Sequence, residues 1–265
     1  MLDRFSYSSL QTFEKCPAQF KFRHIDSIRR TDESIEAFMG KRTHESIEYL
    51  YNKVMSGTIP LWDEIRKKYI SFWKEKWHDR IAIVYSNSLP VYYFELGESC
   101  LARFYRQYSP FKEPAIATEY EIIFPVQGNS KYKIKSIIDR IDHDQNGHWE
   151  IHDYKTSKRS FTQSRADSDD QLAIYNLALL HTEENVQSVT LVWHFLQHGQ
   201  EVRSKRTKKE LLYLEKRIKD KIDLIRERIK HRCEFLPNPT QLCNWCYFWE
   251  ECPAKAGSNP YIIKR

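Results

Sequence analysis

Two aspartates and a lysine near the middle of the chain could hold a cation beside a phosphate group. Asp139 ends one segment rich in β-branched residues, and Asp153 and Lys155 lie two apart in the next. Side chains alternate along a strand, so Asp153 and Lys155 share a face. If the two strands pair across the turn at 145–147, both carboxylates approach one point, where with a backbone carbonyl they can bind Mg²⁺ or Mn²⁺. Such an ion would activate water and stabilise charge on phosphorus, while Lys155 positions the water.

The cysteines form a second group with possible metal chemistry. Cys16 lies alone near the start, and Cys243, Cys246 and Cys252 form a C-x2-C-x5-C cluster near the end. The lone cysteine and the trio together indicate a site that closes the chain on itself. Four thiolates can hold tetrahedral Zn²⁺ or a 4Fe–4S cluster, and the spacing does not separate the two.

The composition is that of a soluble globular protein. The 265 residues are 29% charged and 41% hydrophobic, and no apolar run approaches the roughly 18–20 residues that span a bilayer. The start lacks a basic stretch followed by an apolar one, so we expect a cytoplasmic protein with no membrane partner. Six cysteines in such a chain favour metal ligation over disulfides. Cys100 and Cys233 lie outside the motif and are expected to be small buried residues.

Positive charge is concentrated in one segment. Residues 200–232 contain 13 Lys and Arg against 6 Asp and Glu, although the whole chain carries only +6. A solvated helix face is the ordinary explanation for such a run. The size of the excess favours a polyanionic partner, because phosphate neutralisation dominates nucleic-acid affinity.

The order of predicted elements indicates an α/β domain with an amino-terminal helical part. Ser8 and Ser9 are predicted to cap a short helix that ends near Cys16. Apolar spacing predicts helices over about residues 32–56, 62–80, 91–108, 169–181 and 208–232. Strands are predicted over about residues 119–126, 131–142, 148–156, 186–196 and 201–205. Turns near 127–129 and 145–147 join the first three strands, which predicts an antiparallel meander.

Six motifs give the chain a resemblance to a known family. They are Phe5-Ser-Tyr-Ser-Ser-Leu10 before Cys16-Pro17, Gly40-Lys-Arg-Thr-His44, Ile138-Asp-Arg-Ile-Asp142, Ile151-His-Asp-Tyr-Lys-Thr156, Gln171-x3-Tyr175 and Cys243-x2-Cys246-x5-Cys252-Pro253. With these, the chain resembles the PD-(D/E)XK nuclease superfamily, specifically its RecB-like branch with an iron–sulfur cluster. That branch includes CRISPR-associated exonucleases and AddB-type nuclease domains. One departure is Ser136, where relatives usually have glycine; we expect a local packing difference there.

The resemblance implies the roles of the central residues. His44, Asp139 and Asp153 are similar to the metal ligands, with the backbone carbonyl of Asp153 or Tyr154 as a further contact. Lys155 is similar to the catalytic lysine. The implied metal cofactor is Mg²⁺ or Mn²⁺.

Supporting roles are implied for three more residues. Gln171 and Tyr175, one helical turn apart, are similar to residues that steady the site and touch the DNA strand. Arg140 is expected to pair with a carboxylate or with phosphate.

Three further acids are weaker candidates for a role at the site. Glu48 lies one helical turn after His44 and could contact that ligand without binding the metal itself. Glu119 and Glu121 lie on the first predicted strand, where a solvated face is expected for both.

The implied fold is a restriction-endonuclease-like core, a central mixed sheet flanked by helices, in one domain over residues 1–265. Within it we expect a helical part at 32–110, a catalytic α/β core at 118–207 and a basic helix at 208–232. Residues 1–30 and 233–265 would together form the cysteine region. By the same resemblance Cys16 is the fourth ligand, and a 4Fe–4S cluster is favoured over Zn²⁺.

The leading hypothesis is a metal-dependent DNA exonuclease that acts on single-stranded or unwound ends, a preference implied by the resemblance. It would work in DNA repair, recombination or CRISPR adaptation, with a helicase, an integrase or another repair protein as partner. The alternative is a catalytically idle module that binds DNA ends. The sequence has no G-x4-G-K-[ST] phosphate loop, so it carries no helicase motor of that kind.

Overall fold

A six-stranded mixed sheet forms the centre of the computed structural model, which describes residues 2–84 and 88–255. The strand order is β1-β5-β6-β7-β8, with β4 on the other side of β5. The strands are β1 (Arg4–Ser6), β2 (Glu33–Ser34), β3 (Ile81–Ala82), β4 (Ala115–Pro125), β5 (Lys133–His143), β6 (His148–Lys155), β7 (Ser188–Phe195) and β8 (Gln200–Ser204). The two short strands β2 and β3 form a separate parallel pair.

Helices flank this sheet, as the sequence predicts. They are α1 (Tyr7–Lys15), α2 (Pro17–Phe20), α3 (Ile35–Met55), α4 (Trp62–Lys76), α5 (Pro90–Tyr108), α6 (Gln163–Asp167), α7 (Asp170–Thr182) and α8 (Lys208–Lys230). Among the residues described, no helix combines the length and apolar character needed to cross a membrane. The predicted α/β class and the β4–β5–β6 antiparallel meander are both confirmed.

The start of the chain differs from the prediction. Ser6, rather than Ser8 or Ser9, caps α1. Its hydroxyl accepts the Ser9 backbone N–H, and the Ser9 hydroxyl accepts the Ser6 backbone N–H. Just before it, β1 pairs in parallel with the first residues of β5. A three-residue strand carries too little periodicity to be read from sequence.

Two apolar clusters hold the helices against the sheet. One joins α1, α7 and α8 to the strands and includes the fully buried Trp193. The other joins α3, α4 and α5 to the far side of β6 through Tyr154. Helix α8 contributes a buried row to the first cluster: Leu211, Leu214, Ile218, Ile222 and Ile225.

A buried arginine connects the second cluster to the sheet. Arg140 on β5 is 1% exposed, and its guanidinium lies 4.1 Å from the centre of the Tyr51 ring on α3. Its Nε is 2.8 Å from Asp142 Oδ1, so the charge is paired inside the protein. Because α3 also carries His44, this contact helps to fix that histidine relative to the strands.

From Arg140 a chain of hydrogen bonds runs across the sheet to Glu201. Arg140 Nη2 is 3.1 Å from His152 Nε2, His152 Nδ1 is 2.9 Å from His194 Nε2, and Tyr108 Oη lies 2.9 Å from His194 Nδ1 and 2.7 Å from Glu201 Oε2. Arginine can only donate and an ionised glutamate can only accept. When both histidines are neutral, each group between them can donate toward Glu201, and His152 Nε2 also lies 3.1 Å from Asp142 Oδ2.

We predict that this chain of hydrogen bonds makes the stability of the protein sensitive to acid. Burial lowers the pKa of His152 and His194 well below the usual value. Below about pH 6.5 these histidines bind protons in the unfolded chain but not in the folded protein. The free energy of unfolding therefore falls, by up to about 1.4 kcal/mol per pH unit for each histidine. His194→Gln keeps a donor and an acceptor but cannot be protonated. Urea unfolding at pH 7.5 and pH 5.0 should show a smaller loss in this variant than in the parent.

The matched control is His231→Gln, on an exposed histidine. It should lose as much stability as the parent between the two pH values. An equal loss in the parent and His194→Gln would contradict the neutral, directional chain.

Candidate active site

A lysine ammonium lies between a buried carboxylate and a glutamine. Lys155 Nζ is 2.6 Å from Asp153 Oδ2 and donates to Gln171 Oε1 at 2.9 Å. Gln171 Nε2 donates to Asp153 Oδ1 at 2.9 Å and to Tyr175 Oη at 3.2 Å. All polar atoms of the Gln171 amide are engaged, which fixes its orientation. Sequence alternation predicted the shared face of Asp153 and Lys155, and helix α7 supplies the residues that hold them.

The amino terminus of α7 places Gln171. Asp169 caps the helix, and its Oδ1 accepts the Gln171 backbone N–H at 2.9 Å. A short-chain acid at this position satisfies an otherwise free helix donor. Tyr175 follows one turn later and is buried, so it steadies Gln171 from within the protein.

Lys155 remains an ammonium in this arrangement. Burial opposes its charge, but Asp153, with smaller contributions from Asp139 and Asp169, raises the pKa above the usual lysine value. A protonated lysine donates hydrogen bonds and neutralises negative charge. With Asp153 at its side, it donates to the Asp153 carboxylate and to Gln171.

Asp139 and His44 meet at the Tyr154 backbone. Asp139 Oδ2 accepts the Tyr154 N–H at 2.8 Å, and His44 Nε2 lies 2.7 Å from the Tyr154 carbonyl oxygen. Because a carbonyl can only accept, Nε2 carries the hydrogen. His44 Nδ1 lies 3.4 Å from Asp139 Oδ2, so the two atoms are placed to bind one cation.

Glu119 on β4 lies beside these two residues. Between the paired positions Thr118–Arg140 and Tyr120–Ile138 of the β4–β5 ladder, Glu119 falls level with Asp139. Ligand atoms of Glu119, Asp139 and His44 all lie within 4.8 Å of one another. Partial burial, followed by the charge of Asp139, raises the pKa of Glu119 to about 7. The sequence predicted a solvated side chain, and although Glu119 is exposed, its carboxylate also faces the site.

This donor set fits a hard divalent cation. It offers two carboxylates and one imidazole, ligand types that Mg²⁺ or Mn²⁺ accepts. Burial, with the nearby Asp153 charge, raises the pKa of Asp139, while His44 opposes this change. Asp153 is not in the group of three, because its oxygens contact Lys155 and Gln171.

The other predicted site residues have different surroundings. Arg140 has the carboxylate partner that the sequence allowed, Asp142, and its burial excludes a contact with phosphate. Glu121 lies on the exposed part of β4 and pairs with Lys135 at 2.6 Å. Ser136 is buried, and its hydroxyl has no hydrogen-bond partner among the described residues.

The four motif cysteines line one cavity of about 240 Å³ between the two ends of the chain. Burial, with smaller contributions from Cys16, Cys252 and Cys243, raises the pKa of Cys246 to about 11. Within the described part of the chain, no three cysteine sulfurs lie within 4.8 Å of one another.

Direct contacts also join the ends of the chain around this cavity. The Ala18 N–H donates to the Leu236 carbonyl at 3.3 Å, and Asn238 Nδ2 donates to the Lys15 carbonyl at 3.0 Å. Of the cysteines outside the motif, Cys100 is buried as predicted. Cys233 is exposed, so the prediction of burial is wrong there: it follows the end of α8, beyond the row that packs on the sheet.

The basic helix α8 is less positive at its surface than its composition suggests. Arg217 pairs with Asp170 of α7, and Lys221 pairs with Glu14 of α1. Lys219 lies 3.4 Å from Asp223 on the same helix. Some of its charge therefore contributes to packing between helices.

Comparisons with known proteins agree with this geometry. No curated protein matches the chain in sequence. A candidate exonuclease from Eubacterium rectale shares the fold, with a TM-score of 0.51, 14% identity, and coverage of 91% of this chain and 86% of that chain. The structure of SSO0001 is 16% identical and covers 94% of this chain and 96% of its own, but its TM-score of 0.36 is too low to support an argument. The mixed sheet and its flanking helices are consistent with a restriction-endonuclease-like core.

The PD-(D/E)XK nuclease superfamily matches residues 4–253. This span contains all the side chains described above, from the cap of α1 to the last motif cysteine. The chain belongs to the PD-(D/E)XK nuclease superfamily.

Proposed function

We propose that the protein is a divalent-metal-dependent deoxyribonuclease that removes nucleotides from single-stranded or unwound DNA ends. The observation that carries the proposal is the position of Lys155, held by Asp153 and Gln171 on the strand next to Asp139. In a member of a nuclease superfamily, this is the arrangement that phosphodiester hydrolysis requires.

The residues divide the chemistry among them. Asp139 and His44, with Asp153, would hold Mg²⁺ or Mn²⁺, which when bound polarises phosphate and acidifies water. The Tyr154 N–H orients Asp139 through its 2.8 Å bond. Gln171 keeps Asp153 and Lys155 in register and limits the directions that the ammonium can take.

Lys155 acts as a cation and donor in this scheme. Held by Asp153 and Gln171, it would stabilise charge on the phosphate oxygens and position the attacking water.

A preference for DNA ends is inferred from similarity. The motifs resemble those of RecB-like exonucleases, and the Eubacterium rectale protein that shares the fold is described as a candidate exonuclease. The positive charge of residues 200–232 suits a phosphate backbone. Within this chemistry we place the protein in end processing during repair, recombination or CRISPR adaptation, with a helicase or integrase as partner.

We further propose that the cysteine cavity holds a structural 4Fe–4S cluster. Four thiols line it, and Trp249 forms part of a largely apolar wall. In this arrangement Cys16, Cys243, Cys246 and Cys252 are the ligands. The cluster would join the region before residue 30 to that after 233, at the edge of a single nuclease domain.

Metal-dependent cleavage of end-labelled single-stranded DNA tests the nuclease. We expect the parent to degrade the strand with Mg²⁺ or Mn²⁺ and to stop with EDTA. Asp153→Asn and Lys155→Ala should reduce the rate by a factor of about 10² or more, since each removes charge at the reacting phosphate.

Lys158→Ala is the matched control, an exposed lysine three residues further along, and should retain parental activity. No cleavage by the parent, or equal cleavage by parent and both site variants, would remove the enzyme assignment. DNA binding without cleavage would instead favour an idle end-binding module.

Gln171→Met tests how the lysine is held. Methionine keeps the length and helix propensity of glutamine but loses its bonds to Asp153, Lys155 and Tyr175. We expect cleavage to slow by about 10- to 100-fold, since small misplacements at a reacting centre cost this much, with little change in thermal unfolding. Parental activity in Gln171→Met would contradict a positioning role, and Gln163→Met on α6 controls for the substitution itself.

The cluster proposal predicts brown, iron-containing protein after anaerobic purification. Cys243→Ala should lose the iron, lower the melting temperature and reduce cleavage only as a consequence of instability. Cys233→Ala, outside the cavity, should keep colour, iron and stability. Colourless parent protein with one zinc would overturn the assignment, and parental stability in Cys243→Ala would contradict a structural role.

A further inference from the structure

Two glutamates on β4 have opposite electrostatic surroundings. Glu121 pairs with Lys135 across the ladder at 2.6 Å. Glu119, two residues earlier, makes no hydrogen bond or ion pair with any Lys or Arg that the structure describes. Its neighbours are instead Asp139, Glu48 and Glu45, whose charges oppose its own, and His44, which favours it. A carboxylate directed toward other carboxylates is unfavourable unless something positive joins them.

The backbone at Glu119 is also unfavourable. Its φ of 46° lies in the left-handed region, which costs a non-glycine residue about 1–3 kcal/mol. The preceding residue contacts α3, because Thr118 Oγ1 donates to Asn52 Oδ1 at 2.8 Å. The contact joins β4 to the helix that carries His44.

Three separate elements therefore supply one donor each to a small volume. His44 comes from α3, Asp139 from β5 and Glu119 from β4, and their ligand atoms lie within 4.8 Å of one another. His44 Nε2 donates to the Tyr154 carbonyl oxygen, and its Nδ1 lies 3.4 Å from Asp139 Oδ2. Asp153, whose oxygens contact Lys155 and Gln171, is not one of these three residues.

We propose that Glu119 is a further ligand for the divalent cation, sharing one binding position with His44 and Asp139. The inference rests on the proposed metal-dependent function and adds to its ligands a residue outside every motif. A cation at this position would offset the repulsion among the acids and would give the Glu119 carboxylate a positive partner.

Mn²⁺ titration by isothermal calorimetry tests the proposal without using activity. We expect Glu119→Gln to weaken Mn²⁺ binding by about 10- to 100-fold, the range seen when groups that support a metal site are removed. Glu121→Gln, the control from the same strand, should bind as the parent does. In EDTA, Glu119→Gln should unfold at the parental temperature or above, since it removes only repulsion.

Glu119→Asp separates ligation from a general field effect. It keeps the charge but withdraws the carboxylate by one methylene, so a true ligand should lose affinity. Parental affinity in either Glu119→Gln or Glu119→Asp would overturn the proposal. If Mn²⁺ binding depends on Glu119 but the parent cuts no DNA, the ligand assignment stands and the nuclease assignment is wrong. If the parent cuts DNA but Mn²⁺ binding does not depend on Glu119, the nuclease assignment stands and the ligand assignment is wrong.

Discussion

The pairing of β5 with β6 in one particular register is the constraint on which the site depends. Arg140 faces His152 in the ladder, so Asp139 falls beside the Tyr154 N–H, which it accepts at 2.8 Å. A shift of one residue would turn Asp153 and Lys155 to the opposite face. The turn that sets the register contains Gly147 at a φ of 80°, a conformation that suits glycine and that places the Asn185 carbonyl 2.8 Å from where a Cβ would be.

That register was predictable because its signals are local. The turn at 145–147, the alternation on either side of it and the motif residues all lie within about twenty positions of one another. Glu119 could not be found in this way. Its role depends on which residue of β4 lies level with Asp139 and on a left-handed φ, and neither follows from composition or alternation. The solvated face expected for Glu121 fits its exposed ion pair, whereas the same argument was incomplete two residues earlier.

The buried polar layer was equally hidden in the sequence. Arg140, Asp142 and His152 lie in motifs, but no sequence signal connects them with His194 and Tyr108, since up to 93 residues separate the members that contact each other. Breaking such a layer is costly because it leaves a charge without a partner in the interior. This layer lies between α3, which carries His44, and the strands that carry the carboxylates, so it fixes these elements relative to one another. The residues that fix the site's geometry are therefore distinct from those that face the phosphate.

The same separation applies to the ends of the chain. Cys16 follows directly after α1, and α1 follows directly after β1, which pairs with the start of β5. A group bound by Cys16 and the carboxy-terminal cysteines would therefore restrain the edge of β5, the strand that carries Asp139. Helix α1 also contacts α7, which supplies Gln171. A link between residues far apart in sequence stabilises a protein mainly because it restricts the unfolded chain. Such a link would support the active site through the placement of β5 and α7, at a distance from the reaction.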